Sequence, residues 1–261
     1  MALSAIDVAL WDLVAQNARL PLARLLGGSI EPLPAYNSNG LGLMGASATA
    51  DEAEQLLEGG FRALKLRLGY ATLGEDIAVT RAVRKRLPES VAIMVDYNQA
   101  LTRVDAHARG RALQDEGVAW LEEPIAHHDW NGCAALARAL TLPVQLGENF
   151  DGAKDLAAAL ALGACDYAMV DLARIGGVSG WIDAAGVAAA CGVPLSSHLM
   201  PEVSAHLLAA TPTRHWLEHV DWADAFLAEP FALIDGKLQI PERPGNGLAW
   251  DADAVDRLRI N

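Results

Sequence analysis

Ile93-Met94-Val95-Asp96 is an apolar run that stops on a carboxylate, and the figure returns in Trp120-Leu121-Glu122 and in Val144-Gln145-Leu146-Gly147-Glu148. Short apolar runs closed by a polar residue read as buried strands. Working outward, Tyr167-Ala168-Met169-Val170 leads to Asp171, Pro194-Leu195-Ser196-Ser197 to His198, and His215-Trp216-Leu217 to Glu218. From Asp96 onward these polar residues recur at roughly 20 to 27 residues, the length of one strand plus one helix of a βα unit.

Eight strand-like runs can be read: Leu33 to Asn37, Ala63 to Leu68, Val91 to Tyr97, Trp120 to Glu122, Val144 to Leu146, Tyr167 to Leu172, Val193 to Ser197, and Trp216 to Leu217. Between them, Ala- and Leu-rich stretches such as Thr49 to Leu57, Gly74 to Leu87, Arg103 to Asp115, Asn131 to Ala139, Ala153 to Leu162 and Trp181 to Ala190 are long enough for helices. Strands that alternate with helices imply a parallel sheet with right-handed crossovers, and eight of them imply closure into an α/β barrel. A helical pattern from Ser4 to Leu13 precedes the barrel and ends near Gly27-Gly28. The expected organisation is a barrel domain with its leading helix over residues 1–225 and a tail over 226–261. The tail is rich in Pro and Gly, with Asp235-Gly236 as a hairpin turn, and is expected to pack outside the barrel.

At 261 residues, 52% of them hydrophobic, the chain can build one large core. A formal charge of −13 argues against nucleic acid or an anionic membrane as partner. The N-terminus lacks the layout of a secretion signal, so a cytoplasmic location is expected by default. Cys133, Cys165 and Cys191 are widely spaced, with no CxxC pair, and are expected to be reduced and buried.

In a parallel barrel the C-terminal strand ends converge on one mouth, where Asp96, Glu122 and Glu148 would meet. Three anions held together repel strongly, and a divalent cation resolves the repulsion; all-oxygen donors suit Mg²⁺ best and Mn²⁺ next. Asp171 and His198 end consecutive strands, so the carboxylate can orient the imidazole and raise its basicity, making His198 a candidate general base. Glu218 would be an acid at the same mouth if burial kept it protonated. Lys65 and Arg67 alternate with leucines and project to one face of their strand, two cations directed into the barrel.

The constellation resembles the enolase superfamily, and within it the mandelate racemase subgroup (the mandelate racemase/muconate lactonizing enzyme family), over nearly the whole chain. The matching segments are Lys65-Leu66-Arg67, Val95-Asp96-Tyr97-Asn98-Gln99, Trp120-Leu121-Glu122-Glu123-Pro124, Leu146-Gly147-Glu148-Asn149, Ile175-Gly176-Gly177-Val178 and Pro194-Leu195-Ser196-Ser197-His198-Leu199. The resemblance implies a TIM-like (β/α)7β barrel and Mg²⁺-dependent removal of the α-proton of a 2-hydroxy carboxylate to give an enediolate. By position it makes Asp96, Glu122 and Glu148 the metal ligands, Asp171 and His198 the base dyad, and Glu218 the acid facing the substrate carboxylate. Lys65 would help neutralise that carboxylate and Asn98 would hydrogen-bond the substrate. It also suggests a homo-oligomer.

Two departures stand out. Mandelate racemase carries Lys-x-Lys and uses the second lysine as a base, whereas this chain has Arg67, whose guanidinium stays protonated. The chain also opens at the helix leading into the barrel, so the capping domain is expected to be largely missing, as in a truncated product with impaired substrate recognition. Racemisation or epimerisation of a 2-hydroxy acid ranks first, with apolar Leu199 and Val220 lining an aryl pocket. An acid-sugar dehydratase using the same half-reaction comes next, and a barrel that binds Mg²⁺ but turns nothing over comes third.

Overall fold

The strands form where the apolar runs stand, and in a computed structural model that describes residues 1–259 they lie side by side in one parallel ring. They are β1 (Leu33–Asn37), β2 (Ala63–Arg67), β3 (Ala92–Asp96), β4 (Val118–Glu122), β5 (Val144–Leu146), β6 (Tyr167–Asp171), β7 (Leu195–His198) and β8 (Leu217–His219). Neighbours in sequence pair in parallel from β1 to β7, and β8 pairs with β1. The seam between β7 and β8 closes through His215 N–H to Leu195 O, 2.9 Å, and Ser197 N–H to Trp216 O, 3.1 Å, rather than through a continuous ladder.

The helices are α1 (Ala2–Ala18), α2 (Leu22–Leu25), α3 (Ala46–Gln55), α4 (Leu73–Arg86), α5 (Arg103–Leu113), α6 (Trp130–Ala139), α7 (Ala153–Ala161), α8 (Leu172–Ile175), α9 (Gly177–Cys191), α10 (Pro201–Ala209) and α11 (Ala252–Arg257). Those from α3 to α10 fill the seven crossovers, two of them between β6 and β7, which makes the (β/α)7β arrangement. Local chemistry sets several starts: Thr72 and Glu75 form a reciprocal capping box on α4, and Asp129 caps α6. Helix α10 escapes a periodicity reading because all nine of its residues are buried, so it has no polar face to alternate with. Its Pro201, at the first turn, is the signal that marks its start.

Strand period two divides the core. Leu64, Leu66, Ile93, Val95, Leu121 and Val170 point outward and pack under the helices. Tyr36, Ala63, Met94, Trp120 and Met169 point inward and fill the barrel, with the Trp120 ring 5.7 Å from that of Tyr36 and 6.2 Å from that of Tyr167. Two residues further along the same strands the inward positions are Lys65, Asp96, Glu122 and Asp171, so a polar layer sits directly on an aromatic plug. Register puts Asp96 opposite Glu122 and Asp171 opposite His198, while Lys65 lies opposite Met94, one step lower.

The expected leading helix is longer than its apolar pattern, running to Ala18 and ending on Arg19 in the left-handed region. It packs on α8 and α9 through Ser4 Oγ to Ala173 O, 2.7 Å, and Trp11 Nε1 to Ser179 Oγ, 2.9 Å. In the tail, β9 (Leu233–Ile234) and β10 (Lys237–Leu238) form a hairpin whose turn residues Asp235 and Gly236 both have positive φ. The hairpin joins the sheet, with Leu238 antiparallel to Leu33 of β1. Beyond it the chain crosses α1 and α2, where Asn246 N–H reaches Asp12 Oδ1 at 2.6 Å and Gly245 O accepts from Leu22.

Cys133 and Cys165 are free and buried as expected. Cys191 is exposed, a correction to the expectation for it: it is the last residue of α9, where the helix face leaves the core. No helix among the described residues is long and apolar enough to cross a membrane.

One glycine is indispensable to the mouth. Gly147, between β5 and Glu148, has φ 132°, and a Cβ there would stand 2.3 Å from Met169 O and 2.7 Å from the Phe150 ring. Gly147→Ala is expected to cost about 2–4 kcal/mol through strain and overpacking. Thermal or denaturant unfolding measures it, and an unchanged midpoint would refute the close approach.

Candidate functional site

At the C-terminal mouth the inward-facing strand ends bring Asp96, Glu122 and Glu148 together, each offering an oxygen within 4.8 Å of the others. Asp96 and Glu122 are buried and Glu148 is half-buried, facing the opening. Short contacts hold their carboxylates. Asp96 Oδ1 accepts the Asn98 N–H at 2.7 Å, Glu122 Oε2 accepts Trp120 Nε1 at 3.1 Å and Gln145 Nε2 at 3.2 Å, and Glu148 Oε1 accepts Asn149 Nδ2 at 3.1 Å.

Lys65, 1% exposed, stands beneath this group. Its Nζ is 2.7 Å from Glu122 Oε1, 2.7 Å from Glu218 Oε1 and 3.5 Å from Asp96 Oδ2. Burial alone would push its pKa down, yet the three carboxylates more than offset this and raise it, so the ammonium stays charged. The lysine expected to neutralise a substrate carboxylate is therefore already paired with protein carboxylates.

At Glu218, where an acid role depends on burial keeping the carboxyl protonated, neighbouring charges act against burial. Burial pushes it up, but Lys65 and His198 oppose burial, and with Lys65 Nζ and Ser38 Oγ donating to Oε1 its pKa falls to about 2. The Leu199 N–H donates to Oε2 at 2.7 Å. Burial raises Glu122 instead, up to about 7 despite Lys65, with Asp96, Glu218 and Glu148 adding their charge, and it pushes the neighbouring Glu123 up to about 8.

Asp171 and His198 meet as the strand order suggests, with Nδ1 2.7 Å from Asp171 Oδ2. The other Asp171 oxygen accepts the N–H groups of Ala173 and Arg174 at the start of α8, which fixes the carboxylate. His198 Nε2 faces the carboxylates, 3.3 Å from Glu148 Oε2 and 3.9 Å from Glu218 Oε2. Burial would lower the His198 pKa, but the Asp171 hydrogen bond and the charges of Glu218 and Glu148 carry it up to about 9.

Arg67 is at the mouth, half-buried, with its guanidinium turned onto the segment after β1. Nη1 donates to Ser38 O at 2.9 Å and Gly40 O at 3.0 Å, and Nη2 to Ser38 Oγ at 3.0 Å. Asn98 is exposed and Leu199 half-buried, both with positive φ just past the ends of β3 and β7. The sequence reading missed Ser38, which links Arg67 to Glu218, and Trp120 and Gln145, which hold Glu122. Trp120 was visible in principle, two residues before Glu122 and so on the same face of β4. Gln145 and Ser38 carry no comparable signal, because their partners come from other strands.

Asp96, Glu122, Glu148, Glu218 and Asp171 are five carboxylates in one mouth against one fully buried cation. Three of the five converge with oxygen donors at ligating separation, and Glu122 is raised first by burial and then by the charges of Asp96, Glu218 and Glu148. This donor set fits Mg²⁺, a hard cation bound by carboxylates and water.

Residues 48–254 match the enolase C-terminal domain-like family, and residues 1–27 match the mandelate racemase/muconate lactonizing enzyme N-terminal domain. The L-talarate/galactarate dehydratase of Salmonella typhimurium is 35% identical over 255 residues, covering 97% of this chain and 64% of the relative. Among solved structures, an enolase from alpha proteobacterium bal199 with bound Mg superposes with a TM-score of 0.96 at 46% identity, over 98% of this chain and 72% of that one. A Bradyrhizobium enolase complexed with magnesium and mandelic acid gives 0.94 at 41%, over 100% and 72%. The chain thus spans about two thirds of the length of the curated dehydratase it matches.

Two measurements test the geometry. Glu148→Gln is expected to weaken Mg²⁺ binding at least tenfold by titration calorimetry, since it removes one ligand charge, and unchanged affinity would exclude Glu148 as a ligand. In metal-free protein, NMR titration should place the His198 ring near pKa 9, and Asp171→Asn should bring it down, because burial then acts without the ion pair. A ring that titrates at its ordinary value in both proteins contradicts the dyad.

Proposed function

The chain belongs to the mandelate racemase/muconate lactonizing enzyme family of the enolase superfamily, and from that premise we propose that it dehydrates an acid sugar, beginning with removal of the α-proton of a 2-hydroxy carboxylate. The observation that carries the choice is how Arg67 is engaged, at the position where the resemblance puts a second base. A guanidinium is a poor base, and that of Arg67 is spent on Ser38 and Gly40, so on this reading proton traffic belongs to His198 alone. Racemisation needs a proton donor or acceptor on both faces of the α-carbon; elimination needs one group that takes a proton and returns it.

His198 is held with Nδ1 donating to Asp171, so Nε2 is the atom that accepts a proton once the ring is neutral. A cation held by Asp96, Glu122 and Glu148 would offset the Glu148 charge that helps to raise the His198 pKa and so favour that neutral ring. Nε2 takes the α-proton, and the electron pair passes into the carboxylate to form an enediolate. Asp96, Glu122 and Glu148 would hold Mg²⁺, which when bound would supply Lewis-acid stabilisation of the charge that builds on the substrate carboxylate. The imidazolium then gives its proton to the β-hydroxyl as the Cβ–O bond breaks, so water leaves. The resulting enol tautomerises to a 2-keto acid. Lys65 favours the ionised forms of Glu122 and Glu218 and holds both in place during these steps, and Asp171 stabilises the imidazolium.

The dehydratase relative supports this reading, and the mandelic acid complex of the Bradyrhizobium enolase favours the second one, racemase-like inversion of a 2-hydroxy acid. Proton NMR in D₂O with Mg²⁺ separates them, run on both mandelate enantiomers and on a panel of acid sugars. A 2-keto-3-deoxy acid is expected, and an inverted hydroxy acid would overturn the dehydratase reading. His198→Asn should cut α-proton exchange by about 10²–10⁴-fold, the range for a general base, and undiminished exchange removes His198 from the mechanism.

A further inference from the structure

Glu123, immediately after Glu122, takes part in none of the contacts of the metal cluster, yet it is 1% exposed and holds a backbone conformation that non-glycine residues avoid, φ 38°. Such strain persists where the surroundings over-determine it. Here the surroundings are the other two ligand-bearing strand ends. The Glu123 N–H donates to Gln145 O of β5 at 3.1 Å, and the Glu123 carbonyl accepts from the Gln99 N–H beyond β3 at 2.7 Å. Its side chain turns back to β5, where Oε1 accepts the Gly147 N–H at 3.0 Å. Its Oε2 is buried with no partner.

Gly147 leads directly into Glu148, and its φ of 132° aims that residue into the mouth. Its N–H faces the interior, where an unpaired donor is costly. We infer that Glu123 is a positioning residue for the metal cluster: its carboxylate oxygen fixes Gly147 and hence Glu148, while its backbone spaces β3 and β5 about Glu122. One residue thereby sets the relative placement of all three ligand-bearing strand ends. Outer groups that orient metal ligands typically matter 10- to 100-fold in metal affinity.

The test uses Mg²⁺ itself. Glu123→Gln keeps the acceptor and the shape and is expected to bind Mg²⁺ within about threefold of the native chain by calorimetry. Glu123→Leu removes the acceptor and is expected to bind 10- to 100-fold more weakly, with the loss present in protein that is folded by circular dichroism. Native affinity in Glu123→Leu, or equal weakening in both variants, overturns the proposal, the second because it would show charge rather than the Gly147 bond at work. Amide exchange in the native protein gives an answer should Glu123→Leu fail to fold. The Gly147 N–H should be protected like the barrel strands, and exchange at the rate of an open loop refutes the anchoring bond.

Discussion

The interaction on which the mouth depends is the buried contact of Lys65 with Glu122, Glu218 and Asp96. A lone ammonium at this depth would lose its proton, and three carboxylates without it would not all ionise. Each stabilises the charged form of the other. The arrangement still leaves an excess of negative charge, and the excess is concentrated on the side where Asp96, Glu122 and Glu148 converge. A site for a divalent cation is therefore a consequence of how the interior balances its charge, not a feature added to a finished barrel.

The aromatic plug below and the loops above give that charge network its rigidity. Trp120 both fills the barrel and donates to Glu122, so packing and ligand orientation are one constraint. Above the network, the chain turns sharply: Asn98, Gln99, Glu123, Leu199 and Met200 all have positive φ. Each such turn costs about 1–3 kcal/mol, and at Asn98, Gln99, Glu123 and Leu199 it is paired with a backbone N–H donated to a neighbouring segment or to a carboxylate of the mouth. The strain follows from asking a strand to stop at an inward-facing acid and then leave the barrel at once.

The polar rhythm along the chain made the barrel and its mouth legible. Asp96, Glu122, Glu148, Asp171 and His198 each close an apolar run, so a parallel ring brings them together whatever the loops do. The Asp171–His198 contact was readable for the same reason, since consecutive strands in register must place their ends side by side. Helix α10 was not readable, because a segment buried on every side has no alternation to detect. The burial of Glu218 was legible in its apolar neighbours, but the nearness of Lys65 and His198, which oppose the effect of burial, was not.

What the sequence alone determined, then, is which elements form and which ionisable residues terminate them, because strand period and apolar patterning are local properties of the chain. The partnerships of those residues are set in three dimensions: Lys65 is shared among three acids, Lys65 and His198 push the Glu218 pKa down, Arg67 is spent on Ser38 and Gly40, and Glu123 accepts from Gly147. The physical reason is that charge state and hydrogen-bond partnership depend on distance and burial. Both are set by side chains from strands far apart in sequence.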